Sequence, residues 1–150
     1  KSKLVWIVDH NVPCDSPKTA ASQKKMRDFA RENGITFYEG AGVCHAKYQV
    51  KEDEFFCQGH FPGNPVVPGV IQCEIMAQSC ALLVKDEIKG KTTLYTGIDN
   101  VRFKQIVKPG DLCEVTAVLK KRRGPLFFCE AVLSVAGNIC CKGELSFALV

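Results

Sequence analysis

The segment from Val70 to Val84 constrains the fold most, because it is apolar on nearly every side of a helix. Glu74 and Gln78 interrupt this run. A helix of this kind is buried within a protein rather than laid on its surface. The residues that precede it, 59–69, are rich in proline and glycine, which indicates a tight turn that leads into the helix. The chain is therefore expected to fold around one buried helix.

Strand-like apolar runs follow the helix. They cover residues 94–98, 101–107, 112–119, 126–135 and 139–149. Pro109-Gly110, Gly124-Pro125 and Gly137-Asn138 separate them, and the Gly137-Asn138 pair suits a two-residue hairpin turn. One buried helix followed by consecutive strands predicts an α+β layer rather than alternating βαβ units.

The composition agrees with a single domain. The 150 residues are 46% hydrophobic and 24% charged, which suffices for one good core. No stretch reaches the roughly 18 to 20 uninterrupted apolar residues that span a bilayer. The apolar start of the chain is shorter than the core of a signal peptide, since Asp9 and His10 follow at once. We therefore expect neither a membrane span nor a secretory signal.

Nine cysteines are scattered along the chain without zinc or iron–sulfur spacing. Their odd number and their positions inside apolar runs favour free thiols in a reducing cytoplasm over a disulfide framework. Cys73 lies next to Glu74, but no partner that would stabilise a thiolate is close in the sequence. A nucleophilic role for Cys73 is therefore disfavoured.

Two side chains at the ends of the proline- and glycine-rich turn could form an acid and base pair. His60 stands before the turn, and Glu74 lies early in the helix. Burial disfavours the charged form of a carboxylate, which would make Glu74 a usable general acid. The alternatives are that Glu74 faces a polar rim or pairs with a lysine, and that His60 is a hydrogen-bonded structural residue.

The run GHFPGNPVVPGVIQCEIMAQ, residues 59–78, resembles the signature of the FabZ-type 3-hydroxyacyl-(acyl-carrier-protein) dehydratases. The similarity continues with YTGIDNVRF (95–103), KQIVKPGD (104–111) and KRRG (121–124), and it covers roughly residues 46–150. This resemblance implies the hotdog fold, in which a curved antiparallel sheet wraps a long central helix. It also favours dehydration in fatty acid biosynthesis over isomerisation, because the isomerase-competent relatives carry aspartate where Glu74 stands.

The resemblance assigns roles to the matching positions. His60 would remove the C2 proton of a (3R)-3-hydroxyacyl thioester, and Glu74 would protonate the departing C3 hydroxyl. Backbone N–H groups of Gly69 and Val70, at the positive end of the helix, would stabilise charge on the thioester oxygen. Independently of the resemblance, Gln78 lies one helical turn after Glu74 on the same face, so its amide could orient the carboxyl group or a bound water; the alternative is a buried polar residue satisfied by the backbone. No metal or redox cofactor is implied.

The same resemblance implies that two subunits complete each site, because the histidine and the acid of hotdog dehydratases come from different chains. A homodimer is therefore expected, and related enzymes assemble further into hexamers that are trimers of dimers. A monomer would be inactive.

Basic residues suggest where the acyl carrier protein, which is acidic, would bind. Two groups stand out: Arg102, Lys104 and Lys108, and the run of Lys121, Arg122 and Arg123 that follows Lys120. The alternative for each group is a solvated strand end that discourages edge pairing. Nucleic acid is a poor candidate partner, because no aromatic stacking set accompanies these charges.

The first 45 residues do not resemble the start of a FabZ-type chain. Residues 4–46, which include VDHNVP, KTAASQKKMRDFARENGI and FYEGAGVCH, resemble the start of the large subunit of 3-isopropylmalate dehydratase and homoaconitase. The C-x-x-C arrangement that an iron–sulfur cluster requires is absent, which excludes an aconitase-type activity. We expect this segment to supply a helix after Ser16 and a first hairpin to the domain, as in a gene fusion.

Two other classes of function remain open on the sequence alone. A hotdog thioesterase would use a carboxylate to activate water, although the motif from Gly59 to Gly63 argues against it. A non-catalytic acyl-binding or assembly module would account for the altered N-terminus, although both candidate catalytic residues are present.

Overall fold

The computed structural model describes residues 42–84, 87–88 and 90–150. The helix expected after Ser16 and the strand expected at residues 35–39 lie outside these residues. None of the helices in the described ranges has the length and the apolar character to cross a membrane.

The central helix, α1, covers Gly69–Ala81 and follows Pro68, whose extended backbone precedes the first turn. Ile75, Met76 and Cys80 have no exposed surface, which confirms that the helix is buried. A 3-10 turn, Leu82–Val84, continues the helix. The α-helix therefore ends three residues before the apolar run in the sequence does.

Five antiparallel strands of the described chain form one sheet in the order β1-β3-β4-β5-β2. The strands are β1 Val43–Gln49, β2 Thr93–Phe103, β3 Leu112–Arg123, β4 Leu126–Val135 and β5 Asn138–Leu149. The helix packs against β1, β3, β4 and β5. This arrangement of one helix on an antiparallel sheet confirms the predicted α+β class.

Strand β2 differs from the prediction, because it is one strand rather than two and it ends at Phe103 instead of residue 107. Its pairing with β5 shifts register after Tyr95 and again after Asp99. Asn100, at the second shift, has a φ of 53°. Such bulges insert extra residues without ending the strand, and they break the apolar alternation that the sequence shows.

The turn between β4 and β5 lies one residue earlier than predicted. Its central residues are Ala136 and Gly137, with φ angles of 48° and 81°, and Val135 pairs with Asn138. Positive φ at both central residues is what a type I′ turn requires. Since a slip of one residue would turn every β5 side chain to the opposite face, the buried face of the strand fixes the register more strongly than the turn residues do.

Replacing Ile75 by alanine is expected to lower the free energy of unfolding by about 2 to 5 kcal/mol, because the side chain is fully buried and leaves a cavity. Urea denaturation followed by circular dichroism measures this. Ile106→Ala is the control, since Ile106 is 63% exposed and its loss should change stability by less than about 0.5 kcal/mol. Equal effects of the two substitutions would contradict the burial of this helix face.

Candidate active site

Glu74 lies on α1 and is half-buried. Gln78, one turn later on the same face, donates a hydrogen bond from Nε2 to Glu74 Oε1 at 2.7 Å. The sequence predicted this contact from the spacing of four residues. The amide therefore fixes one oxygen of the carboxyl group.

A cavity of about 410 Å³ opens beside Glu74. Its polar lining consists of Glu74, Gln78, Thr93 and Tyr95, and its apolar lining of Ala77, Ala81, Leu82, Ile88 and Phe147. A site with a carboxyl group and a few other polar side chains in a mostly apolar cavity suits a ligand with one polar reacting centre and a hydrocarbon chain.

His60 lies in the loop that precedes α1. Its Nδ1 is 3.3 Å from the carbonyl oxygen of Val66, and its ring stacks on Phe61 with 4.1 Å between ring centroids. Because a carbonyl oxygen can only accept, this contact requires the tautomer with the proton on Nδ1. Nε2 then carries the lone pair, which is the arrangement that a general base needs.

One chain does not bring the two candidate catalytic residues together in the part that the structure describes. His60 is absent from the lining of the cavity at Glu74. Neither a hydrogen bond nor an ion pair joins the two side chains among the described residues. This separation is what a site shared between two chains would require.

The start of α1 presents the backbone groups that the sequence analysis proposed for the thioester oxygen. Ile71 and Gln72 donate their N–H groups to the carbonyl oxygen of Pro68 at 3.0 and 3.2 Å. Within the described residues, the N–H groups of Gly69 and Val70 have no loop carbonyl as acceptor. They are therefore free to bind an oxygen of a ligand.

Gly69 also has a packing reason to be glycine, which the sequence could not indicate. A Cβ at this position would lie 2.8 Å from Cζ of Phe103. A second cavity, of about 450 Å³, adjoins this point. Its lining consists of Val66, Val67, Gly69, Gln72, Phe103, Lys104, Gln105 and Ile106.

Cys73 turns into the core and away from Glu74. Its side chain is 95% buried, since only 5% remains exposed, and a hydrogen bond with Cys141 lowers the pKa of the Cys73 thiol to about 7. The eight cysteines in the described ranges are all buried free thiols. The structure thus agrees with the expectation of free thiols.

The two basic groups lie at opposite ends of the sheet. The β2 cluster is Arg102, Lys104 and Lys108, and the β3 cluster is Lys121, Arg122 and Arg123. Across the sheet, Arg123 pairs with Leu126, Leu126 with Ala148, and Ala148 with Leu94. Leu94 lies at the start of β2, whereas Arg102 lies near the end of the same strand. A single surface of one chain therefore does not include both clusters.

Arg122 differs from its neighbours because it already has a partner. Its guanidinium donates to both carboxylate oxygens of Glu87, at 2.8 and 2.6 Å, and lies 4.9 Å from the centre of the Phe127 ring. Lys121 and Arg123 are exposed beside it. The double contact with Glu87 occupies the face of the guanidinium that a carboxylate of another protein would use.

The sequence analysis missed Tyr95, Thr93 and Phe147 in the cavity at Glu74. Thr93 and Tyr95 are two residues apart on β2, so a strand places them on the same face. The alternation of side chains between the two faces of a strand was the signal by which the sequence could have grouped these two residues. It could not show which face lies over the helix, because among the described residues β2 pairs with β5, which is formed near the end of the chain.

A curved antiparallel sheet on one central helix defines the hotdog class of proteins. Solved structures agree with this class. The fluoroacetyl-CoA thioesterase FlK has a TM-score of 0.65 at 16% identity and covers 77% of this chain and 90% of its own. The dehydratase heterocomplex ApeI:P from Xenorhabdus doucetiae has a TM-score of 0.62 at 18% identity, over 72% of this chain and 75% of that one. At these identities the likeness shows the fold.

Sequence comparison gives the family. Residues 38–144 match the ApeI-like family, described as ApeI dehydratase. The 3-hydroxyacyl-(acyl-carrier-protein) dehydratase FabZ of Caldicellulosiruptor bescii is 50% identical over 99 residues, which are 65% of this chain and 71% of that protein. FabZ of Latilactobacillus sakei is 40% identical over 117 residues, 77% of this chain and 84% of that protein. This chain belongs to the family of FabZ and ApeI-like dehydratases.

Proposed function

We propose that this chain is a 3-hydroxyacyl-(acyl-carrier-protein) dehydratase of fatty acid biosynthesis. The observation that carries the proposal is the carboxyl group of Glu74, held by Gln78 in a mostly apolar cavity. FabZ relatives with 40 to 50% identity support the same reaction. The substrate is a (3R)-3-hydroxyacyl thioester, and the products are the trans-2-enoyl thioester and water.

The reaction needs one base and one acid. Nε2 of His60 takes the proton from C2, and the electron pair of that C–H bond forms the C2–C3 double bond. The C3–O bond breaks, and Glu74 gives its proton to the departing hydroxyl, which leaves as water. Proton transfer by a positioned acid or base contributes about 10²- to 10⁴-fold to a rate.

Negative charge develops on the thioester oxygen while C2 loses its proton. The N–H groups of Gly69 and Val70 would hold this oxygen, because they lie at the positive end of α1. The cavity of about 450 Å³ beside Gly69 gives space for the carrier's thioester arm to reach them.

A homodimer completes the site in this proposal. Strand β2 lies at the edge of the sheet that the described residues form, and Leu94, Ile98 and Phe103 on it are each about half exposed, at 50%, 49% and 54%. An exposed apolar edge strand favours pairing with a second copy of the same chain. Such pairing would bring His60 of one chain toward Glu74 of the other.

The β2 cluster is the better candidate for docking of the acidic carrier protein. Lys104 lines the cavity that contains Gly69, so a positive charge lies where the thioester arm would enter. The β3 cluster lies at the other end of the sheet, and its Arg122 is bound to Glu87. Complementary charge accelerates encounter between proteins and favours the correct orientation.

Reversing two charges of the β2 cluster, Lys104→Glu together with Lys108→Glu, is expected to raise KM for a carrier-bound substrate about tenfold at low salt. The value of kcat should stay within about twofold, because neither side chain touches the reacting atoms. Steady-state kinetics with increasing salt measures the effect, which should shrink as ions screen the charges.

The matched control reverses two charges of the β3 cluster, Lys121→Glu together with Arg123→Glu. This variant has the same change in net charge and should alter KM by less than about twofold. A larger rise in KM for the β3 variant than for the β2 variant would place the docking surface at the opposite end of the sheet.

Residues 1–45 form, in this proposal, an atypical N-terminal segment of the single hotdog domain. Residues 1–37 lie outside the family match, which begins at residue 38. Residues 38–46 of the segment that resembles the large subunit of 3-isopropylmalate dehydratase belong to the family match instead, so a fused segment with a structural role would end by residue 37. The buried free thiols support a reducing, cytoplasmic location.

Product analysis by mass spectrometry tests the proposed reaction. The chain is incubated with a 3-hydroxyacyl carrier protein, and the carrier is then examined intact. Loss of one water from the carrier-bound acyl group supports the dehydratase. Release of the free acid, with a carrier protein that no longer bears an acyl group, would instead identify the thioesterase activity that the hotdog fold also permits.

A further inference from the structure

Tyr95 lies on β2 and lines the cavity at Glu74. Among the described residues of this lining, it is the one whose hydroxyl reaches from β2 to the helix segment that contains Glu74. It donates a hydrogen bond to the carbonyl oxygen of Cys73, the residue before Glu74, at 3.2 Å. The dehydratase mechanism above uses Glu74 and Gln78 but assigns nothing to Tyr95. Because Tyr95 lines the same cavity as Glu74, its hydroxyl is placed to act on the Glu74 carboxyl group.

The contact with Cys73 is long for an O–H···O hydrogen bond, whose usual distance is about 2.7 to 2.8 Å. Replacing this hydrogen bond by one to another acceptor therefore costs little free energy. The carboxyl group of Glu74 is a second acceptor within reach, because it lines the same cavity and its ionised form, which exists once the proton has left, interacts with the Tyr95 hydroxyl.

Tyr95 stays a donor throughout the reaction. Burial of the side chain, followed by the charge of Glu74, raises the pKa of the Tyr95 hydroxyl well above its usual range. The hydroxyl therefore keeps its proton when Glu74 becomes a carboxylate, and it offers that proton in a hydrogen bond without transferring it.

We infer that Tyr95 is a positioning residue whose hydroxyl turns from Cys73 to the carboxylate of Glu74 once Glu74 has protonated the leaving hydroxyl. This inference rests on the proposed dehydratase function. The C3–O bond breaks, the proton of Glu74 goes to the departing oxygen, and the electron pair stays on the carboxylate. Gln78 and Tyr95 then each donate one hydrogen bond to that carboxylate.

This role acts on the rate of the chemical step rather than on binding. A hydrogen bond that forms only as charge develops stabilises the transition state and the product side more than the bound substrate. Its removal should therefore lower kcat and leave KM nearly unchanged. A hydroxyl with a purely structural role would change the melting temperature instead.

The test replaces Tyr95 by phenylalanine, which keeps the ring and removes the hydroxyl. We expect kcat for the carrier-bound 3-hydroxyacyl substrate to fall at least about tenfold, since the lost bond is to a charged group, with KM within about twofold. The same substitution in a Glu74→Asp background should have a smaller effect on kcat, because the shorter carboxylate no longer reaches the hydroxyl.

Tyr48→Phe is the matched control. The Tyr48 hydroxyl also donates to a carboxylate, Oε1 of Glu54 at 2.6 Å, but it does not line the cavity at Glu74. Its loss should lower stability and leave kcat unchanged. If Tyr95→Phe behaves in the same way, the inferred role is wrong. An inactive wild-type chain would instead refute the proposed function, so the two failures are distinguishable.

Discussion

Replacing Glu74 by glutamine is expected to lower kcat by about 10²- to 10⁴-fold, because the amide has no acidic proton to give to the leaving hydroxyl. Glutamine keeps the size of the side chain, and its oxygen can still accept the hydrogen bond that Gln78 now donates at 2.7 Å. The fold should therefore be retained. Steady-state kinetics together with the melting temperature measures the two effects separately.

The control for this substitution is Glu87→Gln. Glu87 binds Arg122 near the protein surface and takes no part in the cavity lining at Glu74. Because exposed ion pairs contribute little to stability, this variant should keep both its kcat and its fold. A Glu74→Gln enzyme with kcat within about threefold of wild type would show that another group supplies the proton.

Mixing two inactive variants is expected to restore activity if, as proposed, each site takes His60 from one chain and Glu74 from the other. His60→Ala alone and Glu74→Gln alone should each lose about 10²-fold or more. After subunits exchange at random, half of the dimers contain one chain of each kind, and each of these has one intact site. Turnover should then recover to about a quarter of wild type, if both chains exchange freely.

Two measurements make this complementation decisive. Different affinity tags on the two variants show by sequential purification that mixed dimers have formed. Each variant mixed with itself under the same conditions serves as the baseline. Mixed dimers without recovered turnover would contradict the shared site and would require His60 to reach Glu74 within a single chain.

The sequence predicted the centre of the fold because its signals were local. The apolar run from Val70 indicated a buried helix, and the structure confirms it. The spacing of Glu74 and Gln78 predicted their contact on one helical face. Both features depend on residues of a single helix, at most about four turns apart.

The features that the sequence did not reveal depend on pairing between distant strands. The bulges let β2 continue from Thr93 to Phe103, and only the pairing with β5 shows this. The same register separates Arg102 from Arg123 at opposite ends of the sheet, although their spacing in the sequence suggested nothing of the kind. Long-range register is set by which faces are buried, and one sequence does not state that directly.

The candidate site likewise combines local features that the sequence predicted with long-range contacts that it did not. His60 and Glu74 were found from residue type and motif, whereas the contact of His60 Nδ1 with the carbonyl oxygen of Val66 required a folded loop. Tyr95 reaches the helix from a strand that is separated from it by a turn and a loop. Its role could not be predicted before the strand was placed over the helix.

Turnover of a carrier-bound (3R)-3-hydroxyacyl thioester by the wild-type chain, beside His60→Ala and Glu74→Gln, tests the central claim most directly. The oligomeric state of all three proteins is measured on the same samples. We expect an active wild-type oligomer that forms the trans-2-enoyl thioester, and two folded variant oligomers with at least about 10²-fold lower turnover. A folded wild-type oligomer that leaves the substrate unchanged would contradict it and would make this chain a hotdog scaffold without dehydratase activity.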